Sequence, residues 1–244
     1  MKIHRNASYS YMANMIAAFA HHFQSNNLPD ITKEKAFKEY KKGLSRDLKG
    51  ESFPNAKAPI TTEILQLICQ QIDEDDHLQL RDIAMYSLMF YGFLRFNECV
   101  ALTQENLTIY IEGKLRIEIK SSKTDPNGKG AFVFINSRDT SYCAVRWYRR
   151  YRDKCLSNKN EISFAMSQPT FRKRLHTYMR RIALPEDIEK YSGHSFRRGG
   201  AASAAINGVQ DSHIKVHGRW KSHVYTRYTT CDMLNAGAIF TVAI

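Results

Sequence analysis

The chain has 244 residues, enough to bury one good core and a small second unit but not two full-sized domains. Its 36 Lys and Arg against 24 Asp and Glu give a formal charge of +12, an excess that points to a polyanionic partner held by salt-sensitive contacts. No apolar run reaches the roughly 18 residues of a membrane span, no apolar stretch of signal-peptide type follows the first residues, and Cys69, Cys99, Cys143, Cys155 and Cys231 show no Cys-x-x-Cys spacing, so a reduced, intracellular protein without a membrane partner is expected.

Helical periodicity begins with Tyr11, Met12, Met15, Ile16, Phe19 and Ala20, which predicts a helix over residues 9–23; a second, charged helix is expected from Thr32 to about Leu48. Residues 50–59 are rich in Gly, Pro and small side chains and read as a linker. They divide a short helical N-terminal segment, residues 1–57, from a main domain, residues 58–244.

Beyond the linker, Thr61 or Thr62 can cap a helix carrying Ile64, Leu65, Ile68, Cys69 and Ile72. Another, with Leu80, Ile83, Ala84, Ser87, Leu88 and Tyr91, stops at Gly92. The pattern then alternates: Leu107, Ile109, Ile111; Leu115, Ile117, Ile119; and, later, Phe132 to Ile135, three strands of a small antiparallel sheet. Helices resume over 140–153, 169–182, 195–207 and 210–217, with a short one around Tyr228 and an apolar tail over 236–244. The fold class is therefore mainly α with a small antiparallel β-sheet (α+β). The basic helices over 140–153 and 169–182 carry Trp147, Tyr148, Tyr151 and Tyr178; their cations could track phosphates or form a solvated face with the aromatics turned inward.

Three clusters carry chemistry: Arg95-Phe96-Asn97-Glu98 after the Gly92 stop, Gly193-His194-Ser195-Phe196-Arg197 at a helix start, and Gly218-Arg219-Trp220 followed by Tyr225 and Tyr228. Each alone has an ordinary structural reading, a surface bridge, a cap or a core indole. Together they resemble the tyrosine recombinase (phage integrase) family. Residues 91–102, with Leu94-Arg95, Glu98 and Ala101-Leu102, are similar to its first arginine box; His194-x-x-Arg197 with Gly199-Gly200-Ala201-Ala202 behind it matches the second; Trp220 stands where the family has His or Trp, and Tyr228 follows at nearly the expected spacing. Lys123-Thr124-Asp125 with Gly128-x-Gly130, and Gly218-Arg219-Trp220-Lys221-Ser222, bring the chain nearest to Crypton-like and DIRS-like mobile-element recombinases.

The resemblance spans about residues 58–230 and implies a catalytic-domain fold of that family, with residues 1–57 as the end or remnant of its DNA-clamping domain. It implies double-stranded DNA as substrate, a homotetramer on paired sites, and a 3′-phosphotyrosine on Tyr228. Arg95 and Arg197 would grip the phosphate, His194 and Trp220 would support it, and Lys123 would protonate the leaving oxygen. Guanidiniums suit this because they stay charged and bind phosphate oxygens in pairs. Lys120 remains an alternative to Lys123, and Tyr225 to Tyr228. An extra residue in the Gly218-Arg219-Trp220 run leaves His217 and Trp220 both open.

No His, Cys, Asp or Glu cluster has metal-ligand spacing, and no glycine-rich phosphate loop precedes Lys-Ser or Lys-Thr, so neither metal nor nucleotide cofactor is expected. Two other readings stay open: a non-catalytic DNA-binding protein, and a type IB topoisomerase-like enzyme that nicks and reseals. Location would be the nucleus for a eukaryotic mobile element, and otherwise the cytoplasm.

Overall fold

The computed structural model describes residues 9–50, 57–111, 113–121, 129–156, 161–183, 185–221 and 226. The chain divides into two compact units, Met1–Ala56 and Lys57–Ile244. In the first, α1 (Tyr9–Ser25) and α2 (Lys35–Gly50) are joined through a 3-10 turn, Ile31–Lys33. Asp30 caps that turn, accepting from the Thr32 N–H at 3.0 Å and its hydroxyl at 2.6 Å. The expected start of the second helix at Thr32 is corrected to Lys35, because Glu34 is extended and separates the turn from the helix.

The second unit is built around α4 (His77–Tyr91), whose residues are buried without a break from Ile83 to Phe90. Asp76 starts it by accepting from the N–H groups of Leu78 and Gln79, and Gly92 ends it by donating to the Leu88 carbonyl at 2.8 Å. Before it runs α3 (Thr62–Cys69), with the Thr61 hydroxyl accepting from the Ile64 N–H at 3.3 Å. After it comes α5 (Phe96–Val100), a short helix within the first arginine box.

Strands β1 (Leu107–Ile109), β2 (Lys114–Ile119) and β3 (Ala131–Asn136) form an antiparallel sheet in the order β1-β2-β3, with Leu115 opposite Ile135 and Ile117 opposite Val133. In β2 and β3 the alternation seen in the sequence is the burial pattern: Leu115, Ile117, Ile119, Val133 and Ile135 face the core, while Arg116 lies over the exposed Phe132 ring at 5.3 Å; in the first strand it is corrected, since β1 ends at Ile109 and Ile111 is exposed. Each fully buried aliphatic side chain contributes about 1.5–3 kcal/mol.

Among the described residues four further α-helices follow: α6 (Ala144–Cys155), α7 (Gln168–Met179), α8 (Gly193–Ile206) and α9 (Asp211–His217). Helix α6 starts at Ala144 rather than Thr140, since residues 140–143 form a turn in which the Ser141 carbonyl accepts from the Trp147 indole at 2.8 Å. On the basic helices the aromatics turn inward: Trp147, Tyr148, Tyr151 and Tyr178 are buried, and Arg150, Lys154, Arg172 and Arg174 pair with acidic side chains.

Helix α8 has no room for side chains at Gly199, which lies on the segment before α3, or at Gly200, which lies on the end of α4. A Cβ at Gly199 would sit 1.7 Å from the Ile60 carbonyl oxygen, and one at Gly200 would sit 2.1 Å from that of Phe90. Phe196, one turn earlier, stacks on Tyr86 at 4.9 Å between centroids. This close approach sets where the start of α8 stands relative to the end of α4.

Candidate active site

The end of α4 does not run smoothly into α5. Gly92 closes the helix, and Phe93 takes the left-handed conformation, φ 47°, a rare one for a bulky residue. Arg95 then precedes α5, and Glu98, three residues on, accepts from the Arg95 backbone N–H at 2.9 Å and from its guanidinium at 2.6 Å. The Arg-x-x-Glu spacing thus caps its own helix. Glu98 is only 5% exposed, so the bridge to Arg95 is not the surface pair the sequence allowed.

Arg197 reaches the same turn from α8. It is 3% exposed, and its guanidinium donates to the carbonyls of Phe93 and Gly218. Its charge lies over the Trp220 ring, 4.3 Å from the centroid, a cation–π contact. The ring in turn covers Gly218, where a Cβ would meet the indole at 1.8 Å. Trp220 also packs with Phe93 in a small apolar cluster with Ala201 and Ile214. His194, in the first turn of α8, is exposed.

Arg95, Arg197 and Trp220, which lie far apart in sequence, are therefore joined through one turn, residues 92–94. Lys120 is exposed just past β2. Lys123, Tyr225, Tyr228 and the tail over 236–244 lie outside the described residues.

Two further residues belong to this cluster: Arg219, which the sequence does not single out as machinery, and His217, which it leaves open beside Trp220. Among the described residues of this unit, Arg219 is the other bulky one with a left-handed backbone, φ 58°. Its guanidinium donates to Glu98 at 2.8 Å and to the carbonyls of Phe93, Gly92 and His217 at 3.1, 3.3 and 3.1 Å. Its place beside Trp220 was visible as a departure from the box pattern; its inward turn was not. His217 holds its Nε2 at 2.7 Å from the Tyr91 carbonyl and its ring edge-on to Phe93.

The electrostatics follow from this crowding. Burial pushes the Glu98 carboxyl up, but the Arg219 charge, the Arg95 N–H and the Arg95 charge outweigh it and hold it below the ordinary glutamate range. Burial lowers His217 and, helped by the Arg219 and Arg197 charges, prevails over the Tyr91 carbonyl, so the ring is neutral at neutral pH and donates to that carbonyl. Burial also lowers Arg219, with Glu98 opposing; a guanidinium nevertheless stays charged. Glu98 is held by two arginines, Arg95 and Arg219, and Arg197 beside them meets carbonyls and the Trp220 ring, so these four side chains carry more positive than negative charge. Among the described residues no group of three His, Cys, Asp or Glu could hold a metal ion, and no helix is long and apolar enough to cross a membrane.

A family model describing the phage integrase family matches residues 60–233. The chain belongs to that family. A protein of Selenomonas ruminantium described as an integrase/recombinase xerD homolog is 30% identical over 183 residues, 70% of this chain and 53% of that protein. The chain thus spans about half the length of this curated phage-integrase relative. Among solved structures, the Tn1549 transposon integrase in complex with a circular intermediate DNA is similar at TM-score 0.64 and 14% identity, over 96% of this chain and 80% of that one. The XerH site-specific recombinase bound to its difH substrate is similar at TM-score 0.55 and 12% identity, over 96% and 71%. At such identities the likeness establishes the fold alone, mainly helical with a small antiparallel sheet.

Proposed function

We propose that this chain is the catalytic part of a site-specific DNA recombinase that cuts and rejoins double-stranded DNA through a 3′-phosphotyrosine on Tyr228, without a metal ion. The observation that carries the reading is the meeting of Arg95, Arg197 and Trp220 at the Phe93 turn in a chain of the phage integrase family. Attack on a phosphodiester builds negative charge on the phosphorus oxygens, and fixed guanidiniums lower the barrier by being in place before that charge develops. Arg95 and Arg197 take this role, with His194 as a further donor or proton relay. Between the two candidates for the last supporting donor, Trp220 is favoured, because the His217 Nε2 is engaged by the Tyr91 carbonyl.

The Tyr228 oxygen forms a bond to phosphorus as the bond to the 5′-oxygen breaks, and Lys123 delivers the proton that the leaving oxygen takes. The phosphotyrosine keeps the bond energy, so a second 5′-hydroxyl reverses the step and releases the tyrosine. Exchange between two duplexes takes four subunits, and we assign the chain to a homotetramer on paired sites. The Lys123 and Gly218-Arg219-Trp220 runs favour a mobile-element enzyme of the Crypton-like or DIRS-like kind, hence a nuclear one, with residues 1–57 as the end of the DNA-clamping domain.

Mixing the protein with nicked suicide substrates cut from the ends of its element, in chelator, tests this directly. Wild type and Tyr225→Phe give a denaturant-resistant protein–DNA adduct and Tyr228→Phe gives none. Salt-sensitive binding of the cognate site with no adduct from wild type would overturn the assignment in favour of a DNA-binding protein without chemistry.

A further inference from the structure

Between α9 and Trp220 stands a residue that the two-arginine description does not use. Arg219 has its backbone in the left-handed region, where a side chain is disfavoured, and yet it is an arginine whose side chain is only 12% exposed. Its guanidinium meets Glu98 and the carbonyls of Gly92, Phe93 and His217. Two of these acceptors are shared with the arginines proposed to bind phosphate: Glu98 also holds Arg95, and the Phe93 carbonyl also receives Arg197. The segment carrying Trp220 is thus connected to both arginines through a single side chain, and it faces the other strained turn of the site.

We propose that Arg219 is a positioning residue for strand cleavage: it sets Arg95 through Glu98, and Arg197 through the Phe93 carbonyl, without touching DNA. The fork geometry is essential to this role, because one planar group must satisfy a carboxylate and several carbonyls lying in different directions. A lysine ammonium carries the charge but cannot span them.

The inference rests on the recombinase reading and deepens it, and the experiment separates the two. Single-turnover adduct formation at saturating suicide substrate is compared, with DNA affinity, for wild type, Arg219→Gly, Arg219→Lys, Glu98→Gln and the double variant Arg219→Gly with Glu98→Gln. Glycine suits φ 58° and relieves the backbone, so Arg219→Gly keeps its fold, checked by thermal unfolding. Its adduct rate falls about 100-fold, the scale set by misplacing reacting groups by about an ångström, while DNA affinity is unchanged. Arg219→Lys does not recover the rate. The losses from Arg219→Gly and Glu98→Gln do not add, because both break the same connection. A wild-type rate in folded Arg219→Gly, recovery by lysine, or additive losses would each overturn the proposal while leaving the recombinase intact. No adduct from wild type would remove both.

Discussion

Asp82, in the middle of α4, and Glu98, in the short α5, are both buried carboxylates held by two arginines. Asp82 is fully enclosed and accepts from Arg174, Arg81 and the Tyr178 hydroxyl, the last at 3.0 Å. Burial raises its carboxyl above the ordinary aspartate range in spite of Arg174, Arg81 and Tyr178. Glu98 is driven the other way by Arg219, by Arg95 and by a backbone N–H of its own helix. The same side-chain types therefore serve two ends. Around Asp82 the charges tie α4 to α7 inside the core; around Glu98 they collect at a turn where a third arginine leaves positive charge over.

The largest expected difference lies in stability. Asp82→Asn removes the counter-charge of Arg174 and Arg81 and turns one of the two accepting oxygens into a donor that faces other donors, which costs about 3–5 kcal/mol in urea unfolding, yet adduct formation per folded molecule stays at the wild-type rate. Glu98→Gln is milder in unfolding, about 1–3 kcal/mol, but cuts the adduct rate per folded molecule steeply. If both variants lost stability alone, or chemistry alone, the distinction between a packing clasp and a site clasp would collapse.

The smallest effect is on acid unfolding. Glu98 has its folded pKa below its unfolded value of about 4.3, so its contribution is complete above that pH and is lost as pH falls toward the folded value. Asp82 has its folded pKa above an unfolded value of about 3.9, so its ionisation costs stability as pH rises between the two. Below about pH 5, Glu98→Gln should therefore lose stability less steeply than wild type, and Asp82→Asn more steeply. Stability measured from pH 3 to 7 would reveal parallel curves if the two sites titrated alike.

Much of this architecture was legible because it rests on local periodicity. The alternation of Leu115, Ile117 and Ile119 is one face of β2, Thr61 caps α3, and Gly92 stops α4. What could not be read depends on backbone conformations that glycine usually takes. Phe93 and Arg219 adopt left-handed φ values that no propensity assigns to them, and both turns draw their neighbours inward. Hence Arg95 and Arg197 could be picked out by pattern, whereas the Phe93 carbonyl that Arg197 shares with Arg219, and the Glu98 carboxylate that Arg219 shares with Arg95, emerged only in three dimensions. The bounds of helix α5 were not readable for a related reason: five residues give too little period to detect.

Gly199 and Gly200 set a mechanical condition on everything near them. Where α8 meets the carbonyls of Ile60 and Phe90, main chain bears on main chain, and there are no rotamers to absorb a slide. Arg197, two residues earlier, is therefore anchored to a datum surface. The turns at 92–94 and 218–220 are registered on that surface through the Phe93 and Gly218 carbonyls, which both accept from Arg197, so α8 is the rail against which both turns of the site are set.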